Sequence, residues 1–298
     1  MSEPSALRLR LGPLRYSLLA HDAWGERTLR RLKDQADCRS FEGRADRTIH
    51  ILREGEAGPP ERPTQGRISE ALARYLPPGS PRTGWSIDID STLAVTAHHP
   101  SLSHGFWMLA AAVTEGRLKF RLPWQTLIPD IIGRGGGVLH AGLARSRRRT
   151  YLFAAPSGGG KSTSLARLPS SWKVEADDAV LIWPGRGSTI QASPLPTWSV
   201  MSGRNPKPAW LDRWRPGHAF RVDEIVVLEK ATYLKRSKLG PAEAAPMLYR
   251  ALCDHPETNR ARHMHRRELF ITACAAARAL PASVLRLGLK DKFWRLLR

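Results

Sequence analysis

Cysteine is scarce in this chain: Cys38, Cys253 and Cys274 are its three, and no two of them form a Cys-x-x-Cys pair. That spacing argues against a zinc site and against a disulfide framework. Acidic residues are also short, 27 against 47 Lys and Arg, for a formal charge of +20. Such a surplus attracts polyanions at long range, and nucleic acid, acidic peptides and acidic proteins all qualify. Most of the excess is Arg spread over the whole chain, so functional electrostatics and a compositional bias explain it equally well. Long apolar runs are missing too. The stretch "MSEPSALRLRLGPLRYSLLA" mixes Glu3, Arg8, Arg10 and Arg15 into its apolar residues, and the run Phe106 to Val113 is far short of a bilayer span. The expectation is a soluble, cytoplasmic protein with no membrane partner. The ten Trp are scattered, Trp210 and Trp214 being the closest two, so no stacking platform for nucleobases is visible.

With 298 residues and 42% hydrophobic content, the chain can bury the core of a large α/β domain plus a smaller one. It shows no internal repeat. Its main interruption is "EGEAGPPERPTQGR", residues 54–67, whose Pro, Gly and charge mark an exposed loop. Before it, "ALRLRLG", "RYSLLA" and "RTIHILRE" read as strands and "GERTLRRLKDQ" as a helix. After it come a helix over "RISEALARYL" and two alternating runs, "WSIDID" and "TLAVTAH". Together these predict a small α+β N-terminal domain over residues 1–129. From residue 130 to 298, "GVLHAGLA", "TYLFAA", "SWKVEADD", "AVLIWP", "STIQASPL" and "RVDEIVVLEK" read as strands, while "PAEAAPMLYRALCD" and "RRELFITACAAARAL" read as amphipathic helices. Alternation of this kind predicts an α/β domain.

Within it, "AAPSGGGKSTS" (154–164) meets the pattern G-x-x-x-x-G-K-[ST] at Gly160, Lys161 and Ser162, with Ala155 where the first glycine is usual. A strand delivers the loop and a helix leaves it, which is the context that gives the pattern meaning. Converging backbone N–H groups can approach phosphate oxygens only where side chains are small or absent, as at Gly158, Gly159 and Gly160. Lys161 would reach the β- and γ-phosphates of a nucleoside triphosphate, and the Ser162 hydroxyl would ligate Mg²⁺. Ser157 and Thr163 complete the cofactor-binding set for ATP. Downstream, Asp177 and Asp178 in "VEADDAVLI" are adjacent carboxylates on an extended segment and point to opposite sides. One can hold a metal or its water while the other accepts a proton from an attacking hydroxyl, the division of labour that phosphoryl transfer needs; a solvated turn between strands is the bland reading.

The ordered set "VLHAGLA", "APSGGGKST" and "VEADDAVLI" resembles the catalytic core of the HPr kinase/phosphorylase family. It resembles still more the HPr-kinase-related enzymes of ribosomal-peptide gene clusters, including lasso-peptide kinases. The resemblance covers about residues 133–195. It implies a P-loop kinase core of HPr-kinase type, with Lys161 and Ser162 serving ATP and Mg²⁺, Asp178 as general base, Asp177 assisting at the metal, and His140 near the phosphates. Taken by itself, His140 reads as a partly buried strand histidine. The family's Glu-x-Arg-Gly-Leu-Gly stretch has no counterpart here, where the chain reads "ASPLPTWSVMSGRNPKP", so neither phosphorylase activity, an HPr substrate nor a hexamer is implied. The implied acceptor is a serine hydroxyl of a precursor peptide or small protein.

Three other features have bland readings. His98, His99 and His104 in "HHPSLSHG" lack an interleaved carboxylate or Cys, which favours a loop or helix cap over a metal site. The basic stretch "RARHMHRREL" fits an acidic partner and a solvated helix face equally. Arg204, Lys207, Lys235 and Arg236 are candidates for a second cation on the transferred phosphoryl group. The charge also admits a different class, a nucleic-acid-binding or regulatory P-loop ATPase, although no second motor motif accompanies the loop.

Overall fold

In the computed structural model, which describes residues 5–35, 41–53, 74–76, 78–81, 84–89, 94–99, 102–109, 124–195, 217–254 and 265–297, the chain divides into two units, Met1–Leu127 and Ile128–Arg298. The Pro- and Gly-rich stretch 54–67, most of the helix expected over "RISEALARYL", Cys38, the segment 196–214 with Arg204, Lys207, Trp210 and Trp214, and residues 260–264 of the basic stretch lie outside the described residues.

The first unit begins with a hairpin dictated by period-two alternation. In β1 (Ser5–Leu11), Leu7, Leu9 and Leu11 are buried while Arg8 and Arg10 are exposed; β2 (Leu14–Ala20) buries Leu14, Tyr16, Leu18 and Ala20. Helix α1 (Ala23–Gln35) starts where the Asp22 carboxylate accepts a hydrogen bond from the Gly25 N–H at 2.6 Å, an N-cap that satisfies one otherwise orphaned donor. It lies over β1, β2 and β3 (Arg47–Arg53), burying Trp24, Leu29 and Leu32. Gly25 permits the approach: a Cβ there would stand 2.9 Å from the Ile51 carbonyl oxygen. The helix carries the chain across to make β3 parallel to β2, and β4 (Ser86–Ile89), β5 (Ala94–His98) and β6 (His104–Leu109) complete a six-stranded sheet of order β1-β2-β3-β6-β5-β4.

The division between units falls inside α2 (Trp124–Gly133), which runs through Pro129 and buries Leu127, Ile128, Ile131 and Ile132. The second unit is built on β7 (Gly137–Arg145), β8 (Thr150–Ala154), β9 (Lys173–Ala176), β10 (Ala179–Pro184), β11 (Ile190–Pro194), β12 (Phe220–Arg221), β13 (Glu224–Lys230), β14 (Lys235–Leu239) and β15 (Ala282–Leu287). Their order is β12-β11-β10-β7-β8-β13-β15-β14, with β9 also paired to β7. The pairs β8–β13 and β13–β15 are parallel, and the rest are antiparallel. The five residues of β8, all buried, read as the continuous apolar run of an interior strand.

Two glycines of β7 set what covers its faces. Gly137 lies under Leu252 of α4 (Pro241–Cys253), where a Cβ would stand 2.6 Å from the Leu252 methyl, and Leu269 of α5 (Arg266–Ala279) is next to it. Gly142, five residues on and therefore on the opposite face, lies under Leu165 of the short helix α3 (Lys161–Ala166). On that second face Tyr151, Phe153, Leu165, Val226, Leu285 and Phe293 form one apolar cluster, each side chain worth roughly 1.5–3 kcal/mol of burial. The unit is thus a mixed α/β layer structure. Among the described residues no helix is long and apolar enough to cross a membrane.

Candidate functional site

After Ala154 the chain leaves β8, turns through Ala155 to Gly160 and enters α3. Gly158 and Gly160 have φ of 72° and 90°, the left-handed region that a Cβ disfavours. Gly159 has no room for a side chain, since a Cβ would stand 2.8 Å from both the Ala155 Cβ and the Pro156 carbonyl oxygen. Ser157, Ser162 and Thr163 are exposed along this loop and the first turn of the helix, where a ligand can reach them.

Lys161 turns inward instead. It is 6% exposed, and its Nζ donates to the Ala155 carbonyl oxygen at 2.9 Å. Burial pushes its pKa below the usual lysine value, and the carboxylates of Asp178, Asp254 and Asp177 act against that shift by favouring the charged form. The ammonium group is thus held by a backbone carbonyl of the glycine loop and feels the field of three acidic side chains.

Asp177 and Asp178 occupy the bend between β9 and β10, both of which run antiparallel along β7. The bend replaces the continuous strand expected through "KVEADD" and lets both carboxylates serve one neighbourhood. Asp177 is buried, whereas the Asp178 side chain is 28% exposed. Opposite the bend, β7 presents His140, registered against Ala179, and its Nε2 lies 3.0 Å from Asp178 Oδ1. His140 Nδ1 is buried with no hydrogen-bond partner among the described residues. The tautomer with hydrogen on Nε2 fits both facts: it donates to Asp178 and leaves a lone pair at Nδ1, where a buried N–H would cost about 1–3 kcal/mol.

The structure thus brings Lys161, Asp177, Asp178 and His140 together beside Ser157, Gly158, Gly159, Gly160, Ser162 and Thr163. Of the histidines of "HHPSLSHG", the side chains of His99 and His104 are described. His104 opens strand β6 rather than lying in a loop or cap, and it joins a different set, with His104 Nδ1 3.0 Å from His50 Nε2 and His50 Nδ1 2.8 Å from His21 Nε2. His99 is buried beside Trp85. Among the described residues no three His, Cys, Asp or Glu form a metal cage. Arg236, a candidate second cation, is committed elsewhere: it bonds to Ser283 of β15 and to the buried carboxylate of Glu224, which starts β13 at the end away from the loop.

Two charged residues near the loop went unnoticed in the sequence. Asp254 ends α4 and acts on Lys161. Lys230 ends β13, and its Cε is 4.0 Å from where a Cβ on Gly160 would stand. Both close a regular element and read locally as ordinary solvated charges.

Fold and site define a mixed α/β protein in which a glycine loop, leaving a strand of the central sheet for a helix, meets a buried lysine and an imidazole–carboxylate pair. The chain belongs to the family described as SynChlorMet cassette protein ScmC, which matches residues 124–297 and so spans every residue of this site. A comparison with curated proteins finds no match.

Proposed function

We propose that this protein is a cytoplasmic, ATP-dependent kinase with a P-loop core of HPr-kinase type, transferring the γ-phosphoryl group to a serine hydroxyl of a precursor peptide or small protein. The observation that carries this reading is the convergence of buried Lys161 and the Asp178–His140 pair at the glycine loop. A desolvated ammonium group is an unfavourable element in the chain alone, and an arriving polyphosphate relieves it, so the cost is already met before nucleotide binds.

In the transfer step the acceptor hydroxyl oxygen bonds to the γ-phosphorus while the bond to the β–γ bridging oxygen breaks, and ADP leaves with that electron pair. The hydroxyl proton passes to Asp178. His140 holds Asp178 Oδ1 at 3.0 Å, which orients the carboxylate that takes the proton. Lys161 draws the phosphate chain into the loop. Ser162 and Asp177 are the residues that would hold Mg²⁺, which when bound supplies positive charge to the phosphate oxygens.

The test is mass spectrometry of serine-terminated peptides incubated with the full chain and Mg²⁺-ATP, with Lys161→Ala as control. A single phosphate group gained on a peptide serine, and absent with the variant, is the expected result. Free phosphate released without peptide modification overturns it. The charge of +20 favours one second reading, a nucleic-acid-binding or regulatory ATPase, for which phosphate release would rise with added DNA or RNA and fall with salt.

A further inference from the structure

We propose that Lys230 is the second cation of this site, placed to contact the terminal phosphate of the bound nucleotide; the proposal rests on the kinase reading above. Two observations carry it. The first is topological: β13 lies beside β8 and parallel to it, with Val227 registered on Ala154, so both strands bring their C-terminal ends to one edge of the sheet. Ligands of open α/β sheets gather at that edge. The glycine loop leaves it from β8, and Lys230 closes β13 beside it. The second is a distance: the Lys230 Cε lies 4.0 Å from the position a Cβ on Gly160 would take, which puts the ammonium group within reach of whatever the loop holds.

The charges around the loop give this lysine a task. Lys161 feels the field of three carboxylates, Asp178, Asp254 and Asp177, while its Nζ donates to the Ala155 carbonyl oxygen. A nucleoside triphosphate entering there brings more negative charge, and charge spreads over the equatorial oxygens of the phosphoryl group as it transfers. Lys230 is exposed, and no ion pair to it is found among the described residues, whereas its neighbour Glu229 is held by Arg286 at 2.9 Å. Its ammonium group is available to those oxygens from the side of Gly160. Arg236 is held at the far end of the same strand.

The experiment is calorimetric titration of the full chain with Mg²⁺-ATP, Mg²⁺-ADP and AMP, for the wild type, Lys230→Gln and Lys230→Arg, together with peptide transfer rates. The side chain is exposed, so the fold is expected to survive, and the melting temperature checks this. Lys230→Gln should weaken ATP binding about tenfold, leave AMP unchanged, and slow transfer about 10²-fold, with Lys230→Arg recovering part of both. ATP affinity and transfer rate both unchanged in Lys230→Gln would overturn the assignment while leaving the kinase reading intact. A wild-type chain that binds neither ATP nor ADP would overturn the kinase reading, and the role of Lys230 with it.

Discussion

His50 in the first unit and His140 in the second both sit on strands, and their surroundings differ in a way that separates structure from chemistry. His50 is 4% exposed, and each of its ring nitrogens is spent on another imidazole, His21 on one side and His104 on the other. Tyr75 and Phe106 stack against the same ring. Burial, and then the two neighbouring histidines, lower its pKa to about 3, so it remains neutral at physiological pH. The bonding capacity of the central ring is thus used within the set. His140 instead gives one nitrogen to Asp178, whose carboxylate is partly exposed beside a buried lysine and a glycine loop. That set is open to solvent at Asp178, whose side chain is 28% exposed. A polar cluster whose bonding capacity is used internally holds a sheet together; one with capacity left at a sheet edge can act on something else.

Four measurements would break or sharpen this contrast. The largest effect is expected at the open set: Asp178→Asn should lower peptide phosphorylation by roughly 10²–10⁴-fold while nucleotide affinity stays near the wild-type value. Full transfer activity in that variant would remove Asp178 as the base. Next is the closed set, where His50→Ala leaves a cavity and strands hydrogen-bonding groups on His21 and His104. A loss of about 2–4 kcal/mol in denaturant unfolding is expected, with nucleotide binding unaffected. A neutral outcome would mean that the histidine chain adds nothing to the first unit.

Third, Gly142→Ala places a methyl group against Leu165, so it should cost about 1–3 kcal/mol and, by displacing α3, weaken nucleotide binding as well. Unchanged binding would show that the loop does not depend on that contact. The smallest effect is the pH response of the first unit. An imidazole whose pKa is lower in the fold than in the unfolded chain takes up protons first in the unfolded chain, so stability falls as pH drops from about 6.5 towards about 3. Between pH 7 and pH 6 His50 contributes a loss on the order of 1 kcal/mol or less. His21 and His104, also shifted down, act in the same direction. A melting profile flat across this range would show that the three imidazoles titrate as free ones do.

Much of the second unit is legible locally. "TYLFA" is a buried strand because a β-branched Thr and four consecutive apolar residues bounded by Arg and Gly-rich segments fit nothing else so short, and the loop glycines announce themselves because positive φ excludes most other residues. Other parts are hidden by conflicting local signals. Pro129 marks a break in sequence yet sits within α2, whose four buried apolar residues outweigh one missing hydrogen bond. "KRSKL" carries three charges in five residues and looks like a turn, but it forms β14, an edge strand on which such charges discourage further pairing. "ASVLRL" follows a long helix across the single breaker Pro281 and becomes β15, where β13 offers it a parallel partner.

What the sequence determined by itself is the loop: strand, glycines, Lys161 and helix are neighbours in the chain, and their conformations follow from short-range sterics and hydrogen bonding. The tertiary structure alone decided what the loop faces. His140, Asp178, Asp254 and Lys230 come from four separate elements, and their meeting depends on strand register, on the bend between β9 and β10, and on the parallel pairing of β8 with β13. Those are long-range pairings, fixed by the burial of whole sheet faces, and no local segment carries the information to specify them.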